Sequence, residues 1–190
     1  KKKFKFKFKK NKCYIQQGLC NLNPDVDAIF RLINSKINVK FKNNLKIGIS
    51  YNSITAFNSQ NTTWFKEAFP LLFLPSTCTM RATDIWRSVI AQVILYNDRK
   101  DILFHSPNVF QKRNPHILMK DFKDEIPVYL DIESIYYSLK KINLKKGHQN
   151  YLSNLVKCYK HLCEEGFFEK KEMTLVNLWK KDIQKLMNII

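Results

Sequence analysis

The segment Arg81-Ala82-Thr83-Asp84-Ile85-Trp86-Arg87 sets one carboxylate between two guanidiniums, beside an indole. Guanidinium forks match phosphate or carboxylate oxygens, and a helix N-terminus favours anions. An aromatic face suits a sugar ring. An aspartate held among these groups can serve as general base or nucleophile toward a sugar. With Arg81 and Arg87 flanking it, Asp84 suits an orienting or nucleophilic role better than that of an acid. The plainer alternative is a helix-capping Asp84 with structural ion pairs. A second feature is Asp25-Val26-Asp27, after the Asn23-Pro24 turn. Alternating carboxylates on an extended segment point to one side and can grip a divalent cation or a sugar diol. The alternative is a solvated turn whose aspartate caps the following helix.

Other polar residues are less specific. His105 and His116 are candidate metal ligands in polar surroundings, although a lone histidine is as readily structural. Arg113, Asn114, His116, Lys120 and Asp121 form a dense polar cluster suited to an anion or to a solvated loop. Asn61-Thr62-Thr63 is a glycosylation sequon, meaningful in the secretory pathway.

Several chemistries are excluded by what the sequence lacks. The four glycines are isolated, so there is no GxGxxG or Walker-type phosphate loop. No Ser-His-Asp elbow, HExxH or paired-finger Cys/His spacing occurs. Five cysteines without a CxxC pair predict buried or free thiols rather than a disulfide framework. No apolar run reaches about 18 residues, and the basic start lacks the apolar core of a signal peptide.

The elements that must position these residues alternate between strand and helix patterns. Strands are expected at INVKF (37–41), LKIGIS (45–50) and ILFHS (102–106), and a structured loop over the Asn-rich stretch 56–64. WFKEAFPLLFL (64–74) reads as a helical or buried apolar segment. A helix is expected from Asp84 to Asn97, with Thr83 or Asp84 as N-cap and Ile85, Val89, Val93 and Tyr96 at helical spacing. Further helices are expected over 133–142, over 151–165 (stopped by Gly166) and over 169–187. The organisation expected is a Lys/Phe tail over 1–12, a partial α/β domain over 13–130 and a helical section over 131–190.

The formal charge, 33 basic minus 16 acidic residues, is +17 in a chain of 190. Eight of those positive charges are lysines within residues 1–12, KKKFKFKFKKNK, so 17 − 8 leaves +9 for the remaining 178 residues. The alternating KFKFKF reads as an edge-strand-like or low-complexity stretch, with a lipid or nucleic-acid arm as the alternative. Charge in a tail is a weak sign of a nucleic-acid partner compared with a basic folded face. With 45% hydrophobic residues, 14 Phe, 8 Tyr and 3 Trp, the chain as a whole has the makings of a core.

Four stretches resemble, in order, the STELLO-type family of glycosyltransferases, itself distantly similar to the reversibly glycosylated polypeptides (UDP-arabinopyranose mutases). They are GLCNLNPDVDAIFRL (18–32), FNSQNTTWFKEAFPLLFLPSTCTMRATDIWRS (57–88), VFQKRNPHILMKDFKDE (109–125) and EEGFFEKKEMTLVNLWKKDI (164–183). The resemblance implies the C-terminal part of a GT-A-like α/β fold acting on a nucleotide-diphospho sugar and a glycan acceptor. It also implies a Golgi or secretory setting and a possible Mn²⁺ or Mg²⁺. Residue by residue, it carries over Asp25 and Asp27, Asn58 and Asn61, Arg81, Asp84 and Trp86 beside Arg87, and Arg113, Asn114 and His116. His105 resembles instead a His-Ser segment of the mutase relatives, where a late histidine completes a metal site. The two likenesses thus disagree about which histidine matters, with His105 favoured for a metal and His116 for loop architecture. Asp84 is the candidate reaction-centre carboxylate.

In that fold the nucleotide is held by an N-terminal half ending in an acidic metal motif. Only 17 Lys-rich residues precede Gly18 here, and Asp25 and Asp27 fall after the motif's place. The expectation is therefore an acceptor-side portion, inactive alone for want of the nucleotide-binding half. A non-catalytic scaffold module of a glycosyltransferase complex is the competing reading, and a tail-driven nucleic-acid binder a third.

Overall fold

The computed structural model describes residues 12–50 and 53–187, so most of the Lys/Phe stretch lies outside the described residues. Four strands form one sheet: β1 (Ile15–Leu22), β2 (Lys46–Ile49), β3 (Thr62–Trp64) and β4 (Ile102–Gln111), in the order β2-β4-β1-β3. β1 pairs parallel with β4 and antiparallel with β3, while β2 pairs antiparallel with β4. A central strand has neighbours on both edges and layers above and below, which is why Ile15, Gln17 and Cys20 are all buried.

The register between β1 and β4 slips once. Gly18 opposes His105 and Cys20 opposes Val109, so two steps on β1 match four on β4. The surplus residues include Pro107, which has no N–H to give a ladder, and a bulge is where a strand tolerates it. On the other edge, the Gly18 amide donates to the Asn61 carbonyl at 2.8 Å. A Cβ on Gly18 would sit 2.3 Å from Asn61 Nδ2 and 2.7 Å from His105 Cε1. Asn61 cannot yield cheaply, because its amide donates to Leu19 O at 3.1 Å and to Asn108 Oδ1 at 2.8 Å. Gly18→Ala is expected to destabilise the protein by about 1–3 kcal/mol, read by chemical denaturation.

α1 (Ala28–Ile33) is short and is capped by Asp27, whose Oδ1 accepts the Phe30 amide at 2.9 Å. α2 (Thr83–Asn97) is buried from Trp86 through Tyr96 and forms the heart of the core. Its N-cap is Ala82 rather than Thr83 or Asp84, and no side chain caps it. The Asp84 carboxylate is turned instead to the preceding loop. α4 (Tyr151–Glu164) stops as expected: Gly166 sits at φ 84°, and the Phe167 amide closes on the Leu162 carbonyl at 2.9 Å. α5 (Glu172–Met187) starts on a fully buried carboxylate, Glu172, which accepts the Ser76 and Thr77 amides.

The largest departure from expectation is α3 (Leu118–Leu139), a helix of 22 residues that begins fifteen residues before Glu133 and contains Pro127. Proline removes one backbone donor and normally marks a helix boundary. Here Glu125, Val128, Ile135 and Leu139 are buried, with Ile132 packed on the core between them. That 3–4–3–4 spacing is one unbroken helix face, and burying it outweighs one lost hydrogen bond. Residues 37–41 also differ: only Val39 pairs, in an isolated bridge to Leu22. The mixed α/β class expected from the sequence is the one that forms. Among the described residues, no helix is long and apolar enough to cross a membrane.

Candidate functional site

In open α/β sheets, ligands bind beyond the carboxyl ends of the parallel strands. Here β1 runs out into Asn23-Pro24-Asp25 and β4 into Lys112-Arg113, so those two turns lie side by side. Asp25 Oδ1 accepts from Arg113 Nη2 at 2.7 Å and from Arg81 Nη1 at 3.5 Å. Arg81 in turn donates through Nε to Glu125 Oε1 at 2.8 Å, with a second contact from Nη2. Glu125 Oε2 accepts the Ala28 amide at 2.7 Å and the Tyr129 hydroxyl at 2.8 Å. A chain of alternating charges thus ties the Asp25 turn, α1, α2's approach and α3 together. Burial works most strongly against the Arg81 charge, but Glu125 together with Asp25 and Asp121 outweighs it and raises the guanidinium pKa. Partial burial and the bond to Glu125 push the Tyr129 phenol up to about 12.

Beside this chain lies a cleft of about 600 Å³. Five of the residues singled out from sequence line it: Asp25, Asp27, Asn58, Arg81 and Asp84. Asp84 stands in the first turn of α2, and the Ser59 amide donates to its Oδ2 at 2.8 Å. Asn58 Nδ2 donates to the Asp25 carbonyl at 2.7 Å, and the Asp25 amide donates to Gln60 Oε1 at 3.0 Å. The polar loop 58–61 is therefore locked against the Asp25 turn, which carries Asp84's partner Ser59 into place. Phe41, Phe104, Val128 and Ile132 supply apolar wall. A mostly apolar cleft with a few convergent polar groups is the usual form of a small-molecule site.

Arg113, Asn114 and His116 line a smaller pocket of about 260 Å³ together with Arg31. Asp25 joins the two spaces, since it lines the cleft and binds Arg113.

The remaining expectations need correction. Trp86 is 4% exposed within the core and offers no face to a sugar. Arg87 is buried too, its Nη2 donating to Ser59 Oγ at 2.7 Å and its guanidinium lying 4.9 Å from the Trp64 ring centre. Burial lowers its pKa. It supports the Ser59 that holds Asp84, while Arg81 is committed to Glu125 and Asp25 rather than to Asp84. Asn61 braces β1 behind the cleft. Asp25 and Asp27 do not form a paired carboxylate face, because one is held by arginines and the other caps α1.

Histidine placement does not assemble a metal centre. His105 Nδ1 lies 2.9 Å from the Ser106 carbonyl on β4, and His116 Nδ1 lies 3.1 Å from Asp121 Oδ2. Among the described residues, no three His, Cys, Asp or Glu side chains gather as a cation would require.

Glu125 was not apparent from sequence. It belongs to a charged stretch, and its burial follows only once α3 is seen to run through Pro127. Arg31, Ser59 and Gln60 were also missed; Gln60 and Ser59 act through a loop whose shape no local pattern encodes.

A family model of the STELLO glycosyltransferases matches residues 81–189, from Arg81 to near the end of α5. The chain belongs to that family. It is 22% identical over 177 residues to probable glycosyltransferase STELLO2 of Arabidopsis thaliana, covering 90% of this chain and 23% of that protein. Against probable glycosyltransferase STELLO1 of the same plant it is 23% identical over 177 residues, covering 90% of this chain and 22% of that protein. The STELLO-family chain described here thus spans under a quarter of the length of these relatives. The family match takes in Arg81, Arg113 and Glu125 of the charge chain and Asp84 in the cleft wall.

Proposed function

We propose that this chain is the acceptor-side, C-terminal part of a GT-A-like glycosyltransferase that uses a nucleotide sugar, and that the cleft holds a sugar. The observation that carries the reading is Asp84. Its carboxylate is fixed on one oxygen by the Ser59 amide and stands in the wall of a largely apolar cleft. A fixed acceptor beside apolar wall suits a sugar, whose hydroxyls need acceptors and whose C–H faces need apolar contact. Asp84 would accept a hydrogen bond from an acceptor-sugar hydroxyl and would take its proton as that oxygen attacks the anomeric carbon of the donor sugar and the nucleotide diphosphate leaves. Asn58 and Asp25 shape the neighbouring wall, and Arg81 and Glu125 hold the turn that bears them.

Calorimetric titration of the chain with UDP-hexoses and with neutral oligosaccharides tests this. Saturable heat is expected with at least one sugar. The competing reading, a non-catalytic interaction module, rests on the exposed apolar residues Ile33, Phe110, Ile117 and Leu130, each at least 72% exposed. That reading requires no heat from any sugar, and such a result would remove the proposal.

A further inference from the structure

We propose that the smaller pocket is a binding site for a phosphate-class oxyanion, held by Arg31 and Arg113. It lies past the carboxyl ends of β1 and β4, where Asn23 and Arg113 leave the sheet and Arg31 of α1 closes the floor. Arg31 is 7% exposed, its Nη2 donating to the Pro24 carbonyl at 3.0 Å. The buried Nε atoms of Arg31 and Arg113 both lack a hydrogen-bond partner among the described residues. Buried charged donors are ordinarily satisfied, and an unmet one suggests an absent ion or ligand.

The local charges point the same way. Burial and, after it, the nearness of Arg113 lower the Arg31 pKa, so the two guanidiniums oppose each other. The carboxylate between them, Asp25, is shared with Arg81. At the rim, Asp121 is engaged with His116. An oxyanion with several acceptor oxygens would bridge both forks and relieve that repulsion. Size selects the ligand as well. At about 260 Å³ the pocket falls below the roughly 300–1,000 Å³ of drug-sized sites, which suits a compact anionic group. The site stands apart from the reading of the cleft and would survive a cleft that binds no sugar.

The test titrates inorganic phosphate into the full chain at constant ionic strength, with chloride as the balancing ion, and follows the melting temperature. A saturable rise is expected, since a ligand that binds only the folded state stabilises it. Arg113→Gln should raise the half-effect concentration at least tenfold. Asn114→Asp should do the same; Asn114 is an exposed rim residue, so its replacement keeps the test open if Arg113→Gln does not fold. Absence of a saturable rise overturns the proposal, as does a rise unchanged in Asn114→Asp, which would trace the effect to other basic residues. A parallel titration with glucose 1-phosphate identifies the source: tighter binding than inorganic phosphate assigns the anion to a phosphorylated sugar, and equal binding assigns it to free phosphate.

Discussion

Glu125→Ala is expected to destabilise the protein by about 3 kcal/mol, the low end of the range for breaking a buried ion pair. The side chain is 9% exposed and is the only described link between Arg81, the Ala28 amide and the Tyr129 hydroxyl. Alanine strands a guanidinium that is 18% exposed and leaves the first amide of α1 without its acceptor. The loss stays at the low end because Arg81 keeps Asp25 at 3.5 Å. Glu125→Gln should recover only part of it. Oε1 faces Arg81 and Oε2 faces Ala28, so an amide nitrogen in either place meets donors. Urea denaturation of the two variants beside the parent measures both effects. Equal stability of all three would mean that the charge chain does not hold the cleft together.

Asp84→Asn is expected to weaken sugar binding by about 10- to 150-fold, equivalent to losing a charged hydrogen bond of about 1.5–3 kcal/mol. The substitution keeps the shape of the side chain. Its carbonyl can still accept the Ser59 amide, which places the new NH₂ toward the cleft and turns an acceptor into a donor. The fold should tolerate this, with a cost of about 0.3–1 kcal/mol from removing a negative charge in the first turn of α2. Weak binding with near-parental stability therefore separates a sugar contact from a structural role. Parental binding in this variant would exclude Asp84 from the site.

Local patterns revealed much of this fold and less of its site. α2, α4 and the Gly166 stop were legible because apolar spacing and a glycine at positive φ are encoded within a few residues. α3 was not, because Pro127 signals a break and only the packing of Val128, Ile135 and Leu139 overrides it. The same difference hid Glu125. The Arg81–Arg87 segment is chemically dense, yet a sequence does not show which side of a helix faces the core. Trp86 and Arg87 turned inward, and Arg81 found Glu125, 44 residues away. Of the two readings weighed for Asp25 and Asp27, helix capping is what Asp27 does, while Asp25 is held by two arginines at the cleft wall.

The most direct test of the central claim is residue-resolved NMR of the ¹⁵N-labelled chain titrated with the sugar that gives the largest heat. The account predicts that amide shifts concentrate at Asp25, Asn58, Ser59 and Asp84, around the cleft that these residues line. Shifts confined to α5 or to the lysine-rich N-terminal residues, with those four unmoved, would contradict it.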